Sequence, residues 1–159
     1  MNKLFIAVMY SHAELYRTVK DLLSDRFGLK LESEPYDFDQ FTNYYELEMG
    51  KGLAKRFLIF ERNILRKDLI TIKKETTEIE KQFSKEGKRQ INLDPGYFNK
   101  DELALASFKK GTDYKEELGQ GVYAHKVLEF NDGKAIAFWH TFPDYRKNTD
   151  FFMELAEKL

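Results

Sequence analysis

A chain of 159 residues, 42% hydrophobic and 15% aromatic, has the length and apolar content for one domain with a substantial core, which argues against disorder. Lys+Arg 26 against Asp+Glu 27 leaves a formal net charge of −1, without the basic excess of a nucleic-acid-binding domain. The absence of cysteine excludes disulfides, thiolate nucleophiles and Cys-built zinc sites.

Residues 4–10 (Leu-Phe-Ile-Ala-Val-Met-Tyr) are apolar throughout and predict a central strand covered on both faces. The run is too short to span a membrane and lacks a signal-peptide cleavage site, so the expectation is a cytoplasmic protein with no membrane partner. Ser11 and Glu14 stand at capping-box spacing before a helix that carries Leu15, Val19, Leu22 and Phe27 on one face and Gly28 as its C-terminal cap. Residues 29–38 alternate loosely around Glu34-Pro35, as an edge strand or one bent at the proline does. Residues 39–52 predict a loop with at most one helical turn, and residues 54–62 a second buried strand. Leu65, Leu69, Ile72, Thr76, Ile79 and Phe83 predict a long amphipathic helix ended by Gly87.

Ile91 and Leu93 alternate with Asn92 and Asp94, the pattern of a strand with one apolar and one polar face. Asp94-Pro95-Gly96-Tyr97 then predicts a type II turn that closes it. Asn99 to Glu102 predict the cap of a short helix reaching about Lys109. Residues 122–130 and 134–139 around Asn131-Asp132-Gly133 predict a hairpin, Pro143 breaks the chain, and residues 150–159 predict a closing helix.

The order β-α-β-β-α-β to residue 94 predicts an α+β fold: a ferredoxin-like βαββαβ core with an appended C-terminal β-hairpin and helix, in a single domain of residues 1–159. A sheet curled by the hairpin into a partial barrel is the alternative. On this reading strands one and three run parallel at the centre. The 39–53 loop and the 94–97 turn then share one end of the sheet, with the His12 loop at the other.

That end would gather Tyr45, Glu46, Glu48, Lys51, Lys55 and Arg56 with Asn92, Asp94 and Tyr97. Three functions stay open. In a binding module for a small polar or anionic ligand, such as a nucleotide, Lys51, Lys55 and Arg56 meet the anion. Tyr45 and Tyr97 then form walls, and Asn92 and Asp94 read polar groups. In a metal-assisted hydrolase or phosphotransfer enzyme, Glu46, Glu48, Asp94 and Asp144 hold a divalent metal such as Mg²⁺ or act as acid–base groups. In a scaffold or homodimer, an exposed strand edge pairs with a partner. The charges also suit a mutually neutralising structural network.

Specific chemistries find little footing. Neither the P-loop nor the Rossmann glycine pattern is present, and Gly50-Lys51-Gly52 and Gly119-Gln120-Gly121 read as turns. There is no His-x-x-x-His pair, and His125 and His140 read as surface or satisfied histidines. Phe5, Phe57 and Phe60 read as core rather than as an RNA-stacking platform, so nucleic acid is not expected as a partner.

Residues 44–50 (Tyr-Tyr-Glu-Leu-Glu-Met-Gly), 91–97 (Ile-Asn-Leu-Asp-Pro-Gly-Tyr) and 141–145 (Thr-Phe-Pro-Asp-Tyr) resemble the signature segments of the domain of unknown function family 4416. Residues 118–124 (Leu-Gly-Gln-Gly-Val-Tyr-Ala) resemble a fourth, so the likeness runs nearly end to end. Members of that family are sometimes labelled GTP-binding, and the resemblance implies no established activity. Tyr114 and Lys115 stand where the family pattern has a His-Arg pair, and His125 where it has Glu.

Overall fold

The computed structural model describes residues 1–111 and 113–159. In chain order these form β1 (Asn2–Tyr10), α1 (Ala13–Phe27), β2 (Leu29–Glu32), β3 (Tyr36–Asp37), α2 (Glu46–Met49), β4 (Ala54–Ile64) and α3 (Asp68–Gln82). Then follow β5 (Ile91–Phe98), β6 (Glu102–Ser107), β7 (Lys115–Gly119), β8 (Val122–Asn131), β9 (Lys134–Ala137), α4 (Pro143–Lys147) and α5 (Thr149–Glu157). Among the described residues the nine strands make one sheet in the order β2-β4-β1-β5-β6-β8-β7, with β3 beside β4 and β9 beside β8. Every pairing is antiparallel, so the expected parallel pair at the centre is corrected: β1 and β4 run antiparallel, Tyr10 opposite Ala54.

The apolar run of β1 works on both faces. Leu4, Ile6 and Val8 meet Tyr16, Val19 and Leu23 of α1 and Leu69 and Ile72 of α3 in one core. Phe5 and Ala7 meet Phe152 of α5 and Tyr145 of α4 in another, while Met9 packs under Phe38, Met49 and Leu53 of the 38–53 segment. Each such buried side chain contributes roughly 1.5–3 kcal/mol. Phe5, Phe57 and Phe60 all lie in these cores, as expected. No helix among the described residues is long and apolar enough to cross a membrane.

Local signals were followed where nothing tertiary opposed them. Gly28 caps α1 with φ 74°, Pro35 separates β2 from β3, and Asp132-Gly133 turn β8 into β9 with φ of 50° and 72°. The capping box at Ser11 does not form. The helix starts at Ala13 with His12 as N-cap, which puts Glu14 one position too early to reach back. Tyr16, stacked on Tyr10 at 4.3 Å, sets the helix phase instead, and it turns Leu22 outward, 41% exposed, in favour of Leu23. Leu65 likewise stays outside α3.

Two larger corrections lie around β5. Residues 94–97 are not a turn but the middle of the strand, and residues 102–107 are β6 rather than a helix. The β5–β6 ladder covers only Gly96–Phe98 with Leu103–Leu105; beyond it the strands part, β5 staying with β1 and β6 with β8. N–H directions alternate along a strand, and the Asn99 N–H bonds to Glu102 across the β5–β6 turn. Stepping back by twos, the nitrogens of Pro95 and Leu93 also face β6, where the ladder has ended. Pro95 therefore has no donor to lose. Leu93 does have one, and Glu80 of α3 accepts it at 2.7 Å.

This split makes Glu80 a structural cap, and a prediction follows. Glu80→Ala is expected to cost about 1–3 kcal/mol by orphaning a buried N–H. Burial pushes the Glu80 carboxyl above the ordinary range, against the pull of the Leu93 N–H and Arg89. The native state keeps its proton where the unfolded chain has released it, so stability falls as pH rises through that window. Gln at this position escapes the penalty, and its melting-temperature advantage over wild type should grow between about pH 4 and about pH 7. A pH-independent difference would refute the assignment.

A candidate ligand-binding groove

Because β1, β4 and β5 run antiparallel, Tyr10, Ala54 and Ile91 lie side by side, and the His12 loop shares its end of the sheet with the 38–53 segment. Its expected place at the far end is corrected. The 38–53 segment is pinned by Asp39, whose carboxylate accepts the Gly52 N–H at 2.7 Å, and by the Phe38 N–H donating to the Leu53 carbonyl. So anchored, it folds over the α4 face of the sheet and sets Tyr45 within range of Asp94.

Two charged networks frame the space. In the first, Arg89 clasps Glu48 through two guanidinium nitrogens at 2.7 and 2.9 Å and donates to the Asn92 side chain at 2.6 Å. Asn92 in turn donates to Asp94 at 3.0 Å. The Arg89 hydrogen bond holds the Glu48 carboxyl below the usual carboxylate range and raises the guanidinium above its own. In the second, the buried Lys55 ammonium donates to Asp144 at 2.6 Å, and the Tyr36 hydroxyl donates to the same oxygen at 2.7 Å. The ammonium lies 5.1 Å from the Phe38 ring and 4.9 Å from that of Tyr145.

Between the networks lies a cavity of about 400 Å³, walled by Phe38, Tyr44, Tyr45, Phe142 and Tyr145, with Lys55 and Asp94 on the sheet side. Phe142 stacks on Phe38 at 5.8 Å. The Asp94 side chain is about one-third exposed, at 33%, and so able to meet a ligand. Burial, reinforced by Asp94, pushes the Tyr45 phenol above its ordinary value; burial with Asp144 and Asp94 does the same at Tyr145. Among the described residues the buried Tyr145 hydroxyl has no hydrogen-bond partner. This set can stack a flat ring and accept its N–H or O–H groups at Asp94.

Of the ten residues expected at the site, Tyr45, Lys55 and Asp94 line this cavity. Asn92 and Glu48 stand behind Asp94 in its network, and Asp144 is the fully buried partner of Lys55. Glu46 and the exposed Lys51 pair with one another at 3.6 Å. Arg56 and Tyr97 belong to the other face: Arg56 binds Glu32 and the Ser33 carbonyl, and the Tyr97 hydroxyl donates to Glu102. The proposed anion trio is thus dispersed, with Lys55 neutralised. Nor do Glu46, Glu48, Asp94 and Asp144 converge; among the described residues no three His, Asp or Glu side chains are grouped to hold a metal.

Sequence reasoning passed over Arg89, Phe38, Phe142 and Tyr145. The last two sit in the 141–145 segment, from which only Asp144 was selected. No curated protein and no solved structure matches the chain. The model of the Domain of unknown function (DUF4416) matches residues 1–158, nearly the whole length, and the chain belongs to that family.

Proposed function

We propose that the protein is a binding module for a small polar ligand with a planar ring, a nucleobase or similar heterocycle, held between the 38–45 segment and α4. The observation that carries this is the aromatic-walled cavity with the partly exposed Asp94 carboxylate on its floor. Aromatic walls favour a flat ring, and a carboxylate at their centre favours one that offers N–H donors. Binding is preferred to hydrolysis because Glu48, Lys55 and Asp144 are already committed to partners. The reading also takes residues 1–98 as a ferredoxin-like core, which the order β2-β4-β1-β5 with α1 and α3 supports. Self-association through a sheet edge is less favoured, because β2 carries Lys30 and Glu32 and β7 carries Lys115, Glu116 and Glu117, charges that oppose edge pairing.

A thermal-shift screen with nucleosides, nucleotides and inorganic phosphate, with and without Mg²⁺, tests the reading. A ring compound at about 100 times its Kd should stabilise by about 2.7 kcal/mol. Asp94→Asn and Tyr45→Ala should each weaken that compound about tenfold or more, the scale of a lost charged hydrogen bond or ring contact. A hit that survives both substitutions, or no hit among ring compounds, overturns it.

A further inference from the structure

The wall and the floor of the aromatic cavity come from different elements, and one side chain outside it holds both. Tyr45 opens α2, and its carbonyl accepts the Met49 N–H at 2.8 Å, so a single helical turn carries Tyr45 and Glu48 together. Arg89, on the connection between α3 and β5, grips that turn: its backbone N–H, Nε and Nη2 all donate to the Glu48 carboxylate. The remaining guanidinium nitrogen, Nη1, donates to the Asn92 side-chain oxygen and lies 3.6 Å from Glu80.

Asn92 passes on the order that Arg89 sets. A guanidinium only donates and a carboxylate only accepts, so an amide between them has one orientation, oxygen toward Arg89 and nitrogen toward Asp94. Those are the bonds present, at 2.6 and 3.0 Å, and Asn92 is buried away from competing water. Asn92 and Asp94 stand two apart in β5 and share a face, which brings the amide to Asp94 Oδ2. Lys73 of α3 reaches the other oxygen, Oδ1, at 3.8 Å where β5 and β6 part. A carboxylate has about four lone-pair sites, so these two contacts orient Asp94 and leave acceptors for a ligand.

We propose that Arg89 is the positioning residue of the ring site, one guanidinium setting the Tyr45 wall through Glu48 and the Asp94 floor through Asn92. Arg89 is not among the residues that line the cavity, so its effect on a ligand passes through these two side chains. A ring that stacks and donates at once needs wall and floor held in fixed relation, and the shared guanidinium supplies that. Lysine at this position keeps the charge but has a single nitrogen, which cannot serve both arms as the guanidinium fork does. This inference rests on the ring-binding reading above.

Calorimetric titration with two fused-ring probes separates the arms: 2-aminopurine, which stacks and donates N–H groups, and quinoxaline, which stacks and has no N–H. The wild-type protein should prefer 2-aminopurine by about tenfold or more, the scale of a hydrogen bond to a charged group. Asn92→Ala releases the floor and should abolish most of that preference. Glu48→Ala releases the wall and should weaken both probes by the same factor. Arg89→Lys should do both, lowering the two affinities and the preference together. A general loosening of the fold would weaken the probes equally, so the preference is what reports positioning. If Arg89→Lys keeps the wild-type preference, Arg89 is refuted as the positioning residue and the ring reading stands. If neither probe binds the wild-type protein, or quinoxaline binds it as tightly as 2-aminopurine, the ring reading falls and this inference with it.

Discussion

Asp144→Ala is expected to destabilise the protein by about 3–5 kcal/mol, the range for removing one partner of a buried ion pair. The carboxylate is fully buried and accepts from the Lys55 ammonium and the Tyr36 hydroxyl through one oxygen and from the Tyr145 N–H through the other. Its loss leaves the Lys55 ammonium, 7% exposed, against aromatic rings with no counter-charge. Breaking the pair from both sides, with Lys55→Met and Asp144→Leu together, should cost far less than Asp144→Ala alone, because no bare charge remains. Urea denaturation of the three variants checks this. Equal losses in the single and double variants would mean that α4 docks by apolar contact and that the pair adds nothing. The pair matters to the groove because it ties α4, which carries Tyr145, to the strand beneath the 38–53 segment.

What the sequence disclosed and what it hid differ in kind. Strand β1, the extent of α1 and the β8–β9 hairpin were legible because their signals are local, whereas the cap and phase of α1 were not, since the Tyr10–Tyr16 stack lies across elements. Asn99 shows how a correct local reading goes astray. Its side-chain oxygen does accept two backbone N–H groups, from Asp101 and Glu102, as a helix cap would, yet the chain turns into a hairpin. Cap and turn chemistry are the same there, and the apolar run of residues 103–106 suits either a strand or a helix.

The site was half legible for a reason of parity. Lys55 and Arg56 are neighbours in one strand, so they cannot face the same side; nor can Asn92 and Asp94 share a face with Tyr97. For Lys55 and Arg56 that much was readable; for Tyr97 it was not, because residues 94–97 read as a turn and only the strand running on to Phe98 brings the parity to bear. Lys73 was not readable at all. It meets Asp94 only because β5 and β6 separate, a feature of the assembled sheet that no spacing within α3 announces.

The separation has a tight point at its closed end, and Gly96→Ala is expected to be the second severe substitution, at about 3 kcal/mol or more. Gly96 carries no positive φ, so its requirement is space rather than backbone conformation. A Cβ there would stand 2.2 Å from the Ala104 carbonyl oxygen and 2.7 Å from the Phe5 ring. Neither neighbour yields cheaply: the carbonyl belongs to β6, and Phe5 is fully buried against Phe98 and Phe152. Gly87→Ala is the matching control, with φ of 76° and open space around its Cβ, and should cost only the left-handed backbone penalty of roughly 1–2 kcal/mol. The melting temperature should therefore drop on the order of 10 °C for Gly96→Ala and clearly less for Gly87→Ala. Because the added methyl must push β6 from β5 or drive Phe5 off its site, the three-pair ladder Gly96–Phe98 is the part at risk. With that ladder loosened the split would run further toward the β5–β6 turn, and Lys73 and Asp94 would lose the fixed opening across which they meet. Equal melting temperatures for the two variants would show that the strands do not approach this closely at Gly96.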